Sequence, residues 1–188
     1  MSHLRTAVLM TVVLTVLLGI VYPLLMTGIA QVVFPSQANG TLIRGSSGTV
    51  VGSAVLAQSF TEPQYFHPRP SANAYDATNS GGSNLGPTNQ KLIDTVQSNA
   101  DAYRQENNLA ADAQVPVDAV TASASGLDPD ISPANALLQV PRVAGARGMS
   151  EDNVRSLVNQ YTEGRTLFIF GEPRVNVLKL NLALDGRM

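Results

Sequence analysis

The sequence has no cysteine and no tryptophan, only two histidines, and few charges. Asp, Glu, Lys and Arg make up 14% of its 188 residues, against about 25% in an ordinary soluble domain. The absence of cysteine excludes disulfide scaffolds, zinc ribbons and thiol catalysis. The net charge of −2 argues against a nucleic-acid-binding domain, which usually carries a basic face.

Clusters of catalytic or metal-binding residues are equally scarce. His67 is the only histidine outside the N-terminal region, and no serine and aspartate are spaced to form a triad with it. A hydrogen-bonded loop residue is the simpler interpretation of His67. Asp128-Pro129-Asp130 offers two carboxylates, but a calcium site needs six to eight oxygens, so this sequence indicates a turn. We therefore predict no catalytic residue and no metal site.

A long apolar run near the N-terminus is the strongest single feature. Residues 6–34 form 29 consecutive positions without a charge. At about 1.5 Å per residue this run exceeds the roughly 20 residues that span a bilayer core. A cleaved signal peptide, with Gly28-Ile29-Ala30 at the cleavage site, is the alternative. The run is longer than the usual apolar core of a signal peptide, about 7–15 residues, and favours an uncleaved single transmembrane helix.

Three positions in this run point to helix packing. Gly19 and Gly28 allow a partner backbone to approach closely, and Pro23 bends the helix between them and frees a carbonyl near Gly19. Pro23 is interpreted either as a kink near the interface or as a functional hinge. Arg5 precedes the run and the next basic residue is Arg44, so the charge balance leans towards a cytoplasmic N-terminus.

The rest of the chain predicts a mixed helix and strand domain. We assign residues 1–35 to the membrane anchor with a short linker and residues 36–188 to a soluble α+β domain. A polar, proline-rich stretch, residues 58–89, is long for a loop and indicates function or disorder. The predicted elements are a hairpin with strands at 41–43 and 49–56 around Gly45–Gly48, a helix from Thr88 to about Gln105, a strand at 117–121, a helix that begins at Ser132-Pro133 and is interrupted by Pro141, a helix from Ser150 to Gly164, and strands at 166–170 and 175–184.

A glycine-rich loop precedes the first of these helices. Gly81 and Gly86 have the spacing of a phosphate-binding loop, but Pro87 stands where that motif requires lysine. Two interpretations remain for this loop. It is a tight backbone packing loop, or it is a nest of amide groups that binds an anion before a helix.

Several long motifs resemble one known family. They are Tyr65–Ala72, Ser80–Asn89, Val117–Pro129, Gln139–Ala144 and Val175–Leu182. Over nearly the whole chain, the sequence is similar to the C subunit of the high-affinity potassium-transporting Kdp ATPase. One motif departs from the family pattern G-S-x-L-I-G-Q, since residues 52–58 read Gly-Ser-Ala-Val-Leu-Ala-Gln.

The resemblance implies a role in a bacterial inner-membrane complex with a potassium-channel-like subunit and a P-type ATPase subunit. The implied subunit is non-catalytic, assembles and stabilises the complex, and has a cytoplasmic N-terminus and a periplasmic soluble domain. The alternative role is a catalytic chaperone that shares ATP with the ATPase subunit and raises its nucleotide affinity, with no tightly bound cofactor of its own. ATP is scarce outside the cytoplasm, which favours the structural role. The residues implied for nucleotide binding are Ser80, Gly81, Gly82, Ser83 and Asn84.

Overall fold

The computed structural model describes residues 2–45 and 48–187. The chain divides into two compact units, residues 1–42 and residues 43–188. Helices and two small sheets occur together, and one apolar helix lies at the N-terminus. The predicted fold class, mixed α and β with a single N-terminal apolar helix, is confirmed.

The first unit is almost entirely helical. It consists of α1 (Ser2–Val16), a π-helical turn (Leu17–Val21), α2 (Tyr22–Val33) and the short α3 (Pro35–Ala38). The stretch His3–Val33 has 31 residues with a mean hydropathy of 2.5 in its most apolar window, and none of that window is buried. This helix is long and apolar enough to cross a membrane.

The π-helical turn lies immediately before Pro23. Proline has no N–H group, so it cannot donate to the carbonyl of Gly19. The N–H of Tyr22 donates instead to the carbonyl of Leu17, five residues earlier. The backbone thus passes Pro23 through one wide turn, and the helix resumes as α2.

The remaining elements alternate short strands and helices. A hairpin is formed by β1 and β2, as predicted, although residues 46 and 47 of its loop lie outside the described residues. The second sheet is antiparallel with β5 at its centre, where Val175 pairs with both Ile131 and Thr162. The elements are β1 (Leu42–Arg44), β2 (Val50–Ser53), α4 (Gln90–Glu106), α5 (Val117–Val120), β3 (Asp130–Ile131), α6 (Pro133–Arg147), α7 (Glu151–Gln160), β4 (Thr162–Glu163), β5 (Arg174–Asn176) and α8 (Val177–Leu184).

Side-chain caps fix the beginnings of the longer helices. Ser132 and Ser150 cap α6 and α7 as predicted, each accepting the N–H of the third residue onward. The first helix of the second unit is capped by Asn89, not by Thr88, because the Asn89 side chain accepts the N–H of Lys91. Its end at Glu106 lies within one residue of the prediction.

Two predicted helix boundaries are wrong. The helix α6 continues through Pro141 to Arg147, since Val140 and Val143 are completely buried and hold the turns on both sides of the proline. The helix α7 ends at Gln160, because the chain from Thr162 pairs with β5 as a strand before Gly164 is reached.

Three predicted strands are also wrong. Residues 117–120 form the helix α5 behind Pro116, and residues 166–170 form a tight turn with a single bridge between Thr166 and Phe170. Of the stretch 175–184, only the start belongs to a strand, and residues 177–184 form α8. Alternating apolar residues predicted a strand here. Because α8 is buried on most of its circumference, apolar residues are favourable at nearly every position, and an alternating pattern is compatible with a helix.

The main hydrophobic core lies between α6, α7, α8 and the three-stranded sheet. One of its completely buried members, Phe66, comes from the irregular stretch and not from any helix or strand. The core residues are Phe66, Ile131, Ala136, Val140, Val143, Ala144, Val154, Val158, Val175, Val177 and Leu180.

The stretch from residue 54 to residue 89 contains turns but no helix or strand. Two buried amide side chains replace the missing backbone partners. Asn181 accepts the N–H of Phe66 at 2.8 Å and donates to its carbonyl at 2.9 Å. Gln139 does the same for His67, at 2.7 Å and 3.2 Å. We call Asn181 and Gln139 the amide clasp.

Two arginines extend this arrangement along the chain. Arg142 donates to the carbonyls of Pro63 and Tyr65, at 2.7 and 2.9 Å, and Arg147 donates to the carbonyl of Gln64 at 2.7 Å. Three consecutive carbonyls are therefore bound by guanidinium groups of α6. The irregular stretch has a defined conformation because side chains elsewhere in the unit satisfy its peptide groups.

Replacing Asn181 by leucine tests the clasp. The change leaves the buried N–H and carbonyl of Phe66 without partners, and each such group costs about 1–3 kcal/mol. We expect Asn181→Leu to lower the free energy of unfolding by about 2–5 kcal/mol, measured by denaturant unfolding of the full chain in detergent. The control is Asn159→Leu on the exposed face of α7, expected to change stability by about 0.5 kcal/mol or less. Equal effects of the two changes would contradict the clasp.

Candidate functional site

The glycine-rich loop packs directly against another backbone segment. The N–H of Gly81 donates to the carbonyl of Ser125 at 2.9 Å, and the Ser80 hydroxyl donates to the same carbonyl at 3.2 Å. A Cβ atom on Gly82 would lie 3.0 Å from the carbonyl oxygen of Ala124. A side chain at residue 82 would therefore crowd the Ala124 carbonyl, and the Gly81 amide already has a protein partner.

Gly126 lies in the segment that the glycine-rich loop packs against, and its backbone also favours glycine. Its φ of +69° lies in the left-handed region, and an added Cβ would collide with the Asn73 side chain and lie 2.9 Å from the Gly81 carbonyl oxygen. The Ser71 hydroxyl donates to the Gly126 carbonyl at 2.7 Å. Residues 71–73, 80–82 and 124–126 thus form one interlocked group of loops.

An open cleft of about 720 Å³ lies beside this group. Gly82 and Ser83 line it, whereas the other three residues implied for nucleotide binding, Ser80, Gly81 and Asn84, do not. Lys91, in the first turn of α4, is the one cationic residue on the cleft wall described by the structure. The cleft therefore brings two loop residues and one positive charge together, on a wall that also contains apolar side chains.

A second, smaller cleft of about 250 Å³ lies next to His67. The imidazole contacts the Glu106 carboxylate through Nδ1 at 2.6 Å, and its Nε2 lies 3.1 Å from the carbonyl of Glu62. The hydrogen bond from His67 lowers the pKa of the Glu106 carboxyl below its usual value. His67 is thus a hydrogen-bonded loop residue, as expected.

A polar network at this cleft was not predicted from the sequence. Two of its members, Tyr103 and Asn135, line the cleft. Asp118 accepts the N–H of Ser132 at 2.7 Å and the side-chain amide of Asn135 at 3.0 Å. The Asn135 amide oxygen accepts the Tyr103 hydroxyl at 2.9 Å. The available signal was the placement of Asn135 and Gln139 on the apolar face of α6, where a polar side chain must find a partner.

The predicted turn at residues 128–130 is wrong, because Asp130 already belongs to β3 and is paired with β5. The carboxylates of Asp128 and Asp130 have different partners. Asp128 pairs with Arg69 at 2.8 Å and also accepts the N–H of Asp130. Asp130 pairs with Arg174 at 3.1 Å and accepts the side-chain amide of Asn176 at 3.0 Å. These contacts join the start of β3 to the irregular stretch and to β5.

The three positions predicted for helix packing lie along the apolar helix. Gly19 is within the π-helical turn, Pro23 is the second residue of α2, and Gly28 lies about one and a half turns further on. A Cβ at either glycine would meet nothing within 4 Å. Gly28 lines a shallow apolar groove together with Leu24, Leu25, Ile29, Val32 and Val33.

Comparison with known proteins points to one family. Residues 4–186 match the family model described as KdpC, K+-transporting ATPase, c chain. The chain is 59% identical to the potassium-transporting ATPase KdpC subunit of Koribacter versatilis, over 98% of this chain and 95% of that one. It is 55% identical to the KdpC subunit of Caulobacter vibrioides, over 100% and 94%, and 56% identical to that of Mycobacterium tuberculosis, over 97% of each.

A pair of glycine substitutions tests the interlocked loops. Alanine at residue 126 meets both the positive φ and the Gly81 carbonyl, so we expect Gly126→Ala to lower the free energy of unfolding by about 1–3 kcal/mol. Gly145 is exposed on α6 with nothing within 4 Å, and Gly145→Ala should raise stability by about 0.5–1 kcal/mol. Denaturant unfolding of the two variants measures both. A neutral Gly126→Ala would show that the loops are not interlocked.

Proposed function

The chain belongs to the KdpC family, the c chains of K+-transporting ATPases, and on that basis we propose that it is a non-catalytic accessory subunit of a high-affinity potassium uptake complex. In this role it assembles and stabilises the channel-like subunit and the P-type ATPase subunit. One observation carries the proposal. The apolar helix buries none of its most apolar window within the chain, so lipid or other helices must cover that surface.

A single helix cannot enclose an ion path, so this helix acts by contact with others. Association of helices inside a bilayer depends on close packing at small residues. Gly19 and Gly28 leave open space on the helix surface, and Pro23 with its π-helical turn fixes the backbone between them. We assign these three positions to the contact with the helices of the partner subunits.

The proposed location is the bacterial inner membrane, crossed once. Arg5 lies just before the span, whereas the first basic residue after it is Arg44. Because basic residues close to a span favour the cytoplasmic side, this arrangement supports a cytoplasmic N-terminus. The soluble domain, residues 36–188, then lies in the periplasm.

The cleft at Gly82, Ser83 and Lys91 supports a second candidate function. There, ATP shared with the ATPase subunit would bind, and the chain would act as a catalytic chaperone without a tightly bound cofactor. Two points favour the accessory role instead. The Gly81 amide donates to Ser125 and is not available to a phosphate, and the proposed periplasmic location offers little ATP.

Labelling of one introduced thiol separates the two candidates. The chain has no cysteine, so Ser83→Cys places a single exposed thiol in the loop. We expect a membrane-impermeant maleimide to label it in intact spheroplasts. His3→Cys, as the matched control, should be labelled only after permeabilisation. If Ser83→Cys instead requires permeabilisation, the loop faces the ATP pool and the nucleotide-binding function is the better account.

Helix packing is tested by two substitutions of equal hydrophobic character. Gly19→Leu keeps the helix apolar, so insertion is unaffected, but it fills the space needed for a close partner backbone. We expect less intact complex to co-purify in detergent, although the variant still reaches the membrane. Val12→Leu, on a side chain that is already large and exposed, should leave recovery unchanged. Full recovery with Gly19→Leu would exclude Gly19 from the contact.

A further inference from the structure

The loop between β4 and β5 presents four consecutive large apolar side chains to solvent. We call these residues, 167–170, the apolar tip. Phe168 is 95% exposed, Leu167 and Ile169 are each 73% exposed, and Phe170 is 63% exposed. Among the large apolar side chains that the structure describes, Phe168 is the most exposed, even compared with those of the N-terminal apolar helix. Within the part of the chain that the structure describes, these four side chains are left largely uncovered.

The backbone of the tip is closed by its own hydrogen bonds. The N–H of Thr166 donates to the Phe170 carbonyl at 2.8 Å, and the N–H of Phe170 donates back to the Thr166 carbonyl at 2.9 Å. The N–H groups of Phe168 and Ile169 also donate within the loop, at 3.1 and 3.2 Å. The N–H groups of Thr166 and of three of the four tip residues, 168–170, therefore have partners within the loop, which lowers the cost of entering an apolar phase.

The tip has a defined backbone conformation that is unfavourable for two of its residues. Leu167 and Phe168 have φ values of +52° and +65°, a region that large side chains rarely occupy. Below the tip, Arg165 forms two hydrogen bonds to the Glu172 carboxylate, at 2.8 and 2.7 Å, so the charges at its base neutralise each other. Strained backbone conformations are concentrated at functional sites. Because these two side chains do not pack inside the fold, we interpret the strain as serving a contact outside the chain.

We propose that the apolar tip inserts into the interface of a lipid bilayer, the boundary between headgroups and acyl chains. This inference rests on the proposed transmembrane span, but not on which side the second unit occupies. Only nine residues, 34–42, separate Val33 from Ile43, and they extend at most about 35 Å. The second unit therefore stays close to a membrane surface, where the local concentration of lipid is high.

The chemistry of the tip favours lipid over a protein pocket. Protein interfaces also use phenylalanine, but they have polar rims and their strongest contacts favour tyrosine, tryptophan and arginine, each with a hydrogen-bonding group. Residues 167–170 contain no hydrogen-bonding side chain and no charge. An apolar loop with three of its four amide N–H groups already bonded suits an apolar phase, which offers few hydrogen-bonding partners.

A single spin label on the full chain tests the insertion. Ile169→Cys is labelled with a nitroxide, and the chain is reconstituted alone into vesicles of phosphatidylcholine and phosphatidylglycerol. Leu18→Cys, in the span, and Asp152→Cys, on the exposed face of α7, are the two reference labels. We expect the tip label to collide with lipid-soluble oxygen like the span label, and with an aqueous nickel chelate several-fold less than the label at residue 152.

A second substitution in the spin-labelled chain tests whether the Phe168 ring is responsible for shielding the label from water. Phe168→Asn retains a residue that tolerates positive φ but removes the ring, so aqueous collision should rise to the level seen at residue 152. Phe168→Leu keeps an apolar side chain and should leave the label shielded. A water-accessible tip label beside a lipid-accessible span label overturns this inference alone, whereas a water-accessible span label overturns the proposed anchor. Shielding that occurs only after the partner subunits are added also overturns it, by assigning the tip to a protein pocket.

Discussion

Two buried amide side chains, Asn181 and Gln139, hold a segment of 36 residues, 54–89, that has no helix or strand. An irregular segment normally runs over the surface, because its peptide groups need water. Here most of the segment is exposed or half-buried, but Phe66 lies in the core with no exposed surface. Its N–H and carbonyl are satisfied because the Asn181 amide supplies both an acceptor oxygen and N–H donors, in place of a neighbouring strand.

The rest of the second unit depends on this constraint. Once Phe66 and His67 are fixed, Arg69 reaches Asp128, and the loop at Ser71 closes over Gly126. The glycine-rich loop then packs against residues 124–126, and the cleft beside it takes its shape. The polar side chains of this region bond to the peptide groups of the irregular stretch. The stretch therefore has the composition of a functional loop but forms part of a fixed surface. Such a surface fits the accessory role proposed above, in which the subunit acts by contact.

Short-range sequence patterns were sufficient to predict some helices and strands correctly but not others. The apolar run, the caps at Ser132 and Ser150 and the hairpin at β1 and β2 follow from short-range physics, and the prediction was correct there. The stretch 175–184 was mistaken for a strand because nearly complete burial removes the helical pattern. For the candidate site, tight backbone packing of the glycine-rich loop was one of the two interpretations open from the sequence, and the contacts of residues 80–82 with residues 124–126 support it. The amide clasp was not predictable, because Asn181 and Gln139 lie 115 and 72 positions from their partners.

The clasp is tested most directly by native-state hydrogen exchange of the full chain. Amides of exposed loops exchange nearly freely, whereas core amides exchange only through large-scale unfolding. If Asn181 and Gln139 hold the segment as described, the N–H groups of Phe66 and His67 exchange as slowly as those of Val140 and Val143 in α6. Exchange of these two amides at the rate of an exposed loop, with α6 still protected, would contradict the account.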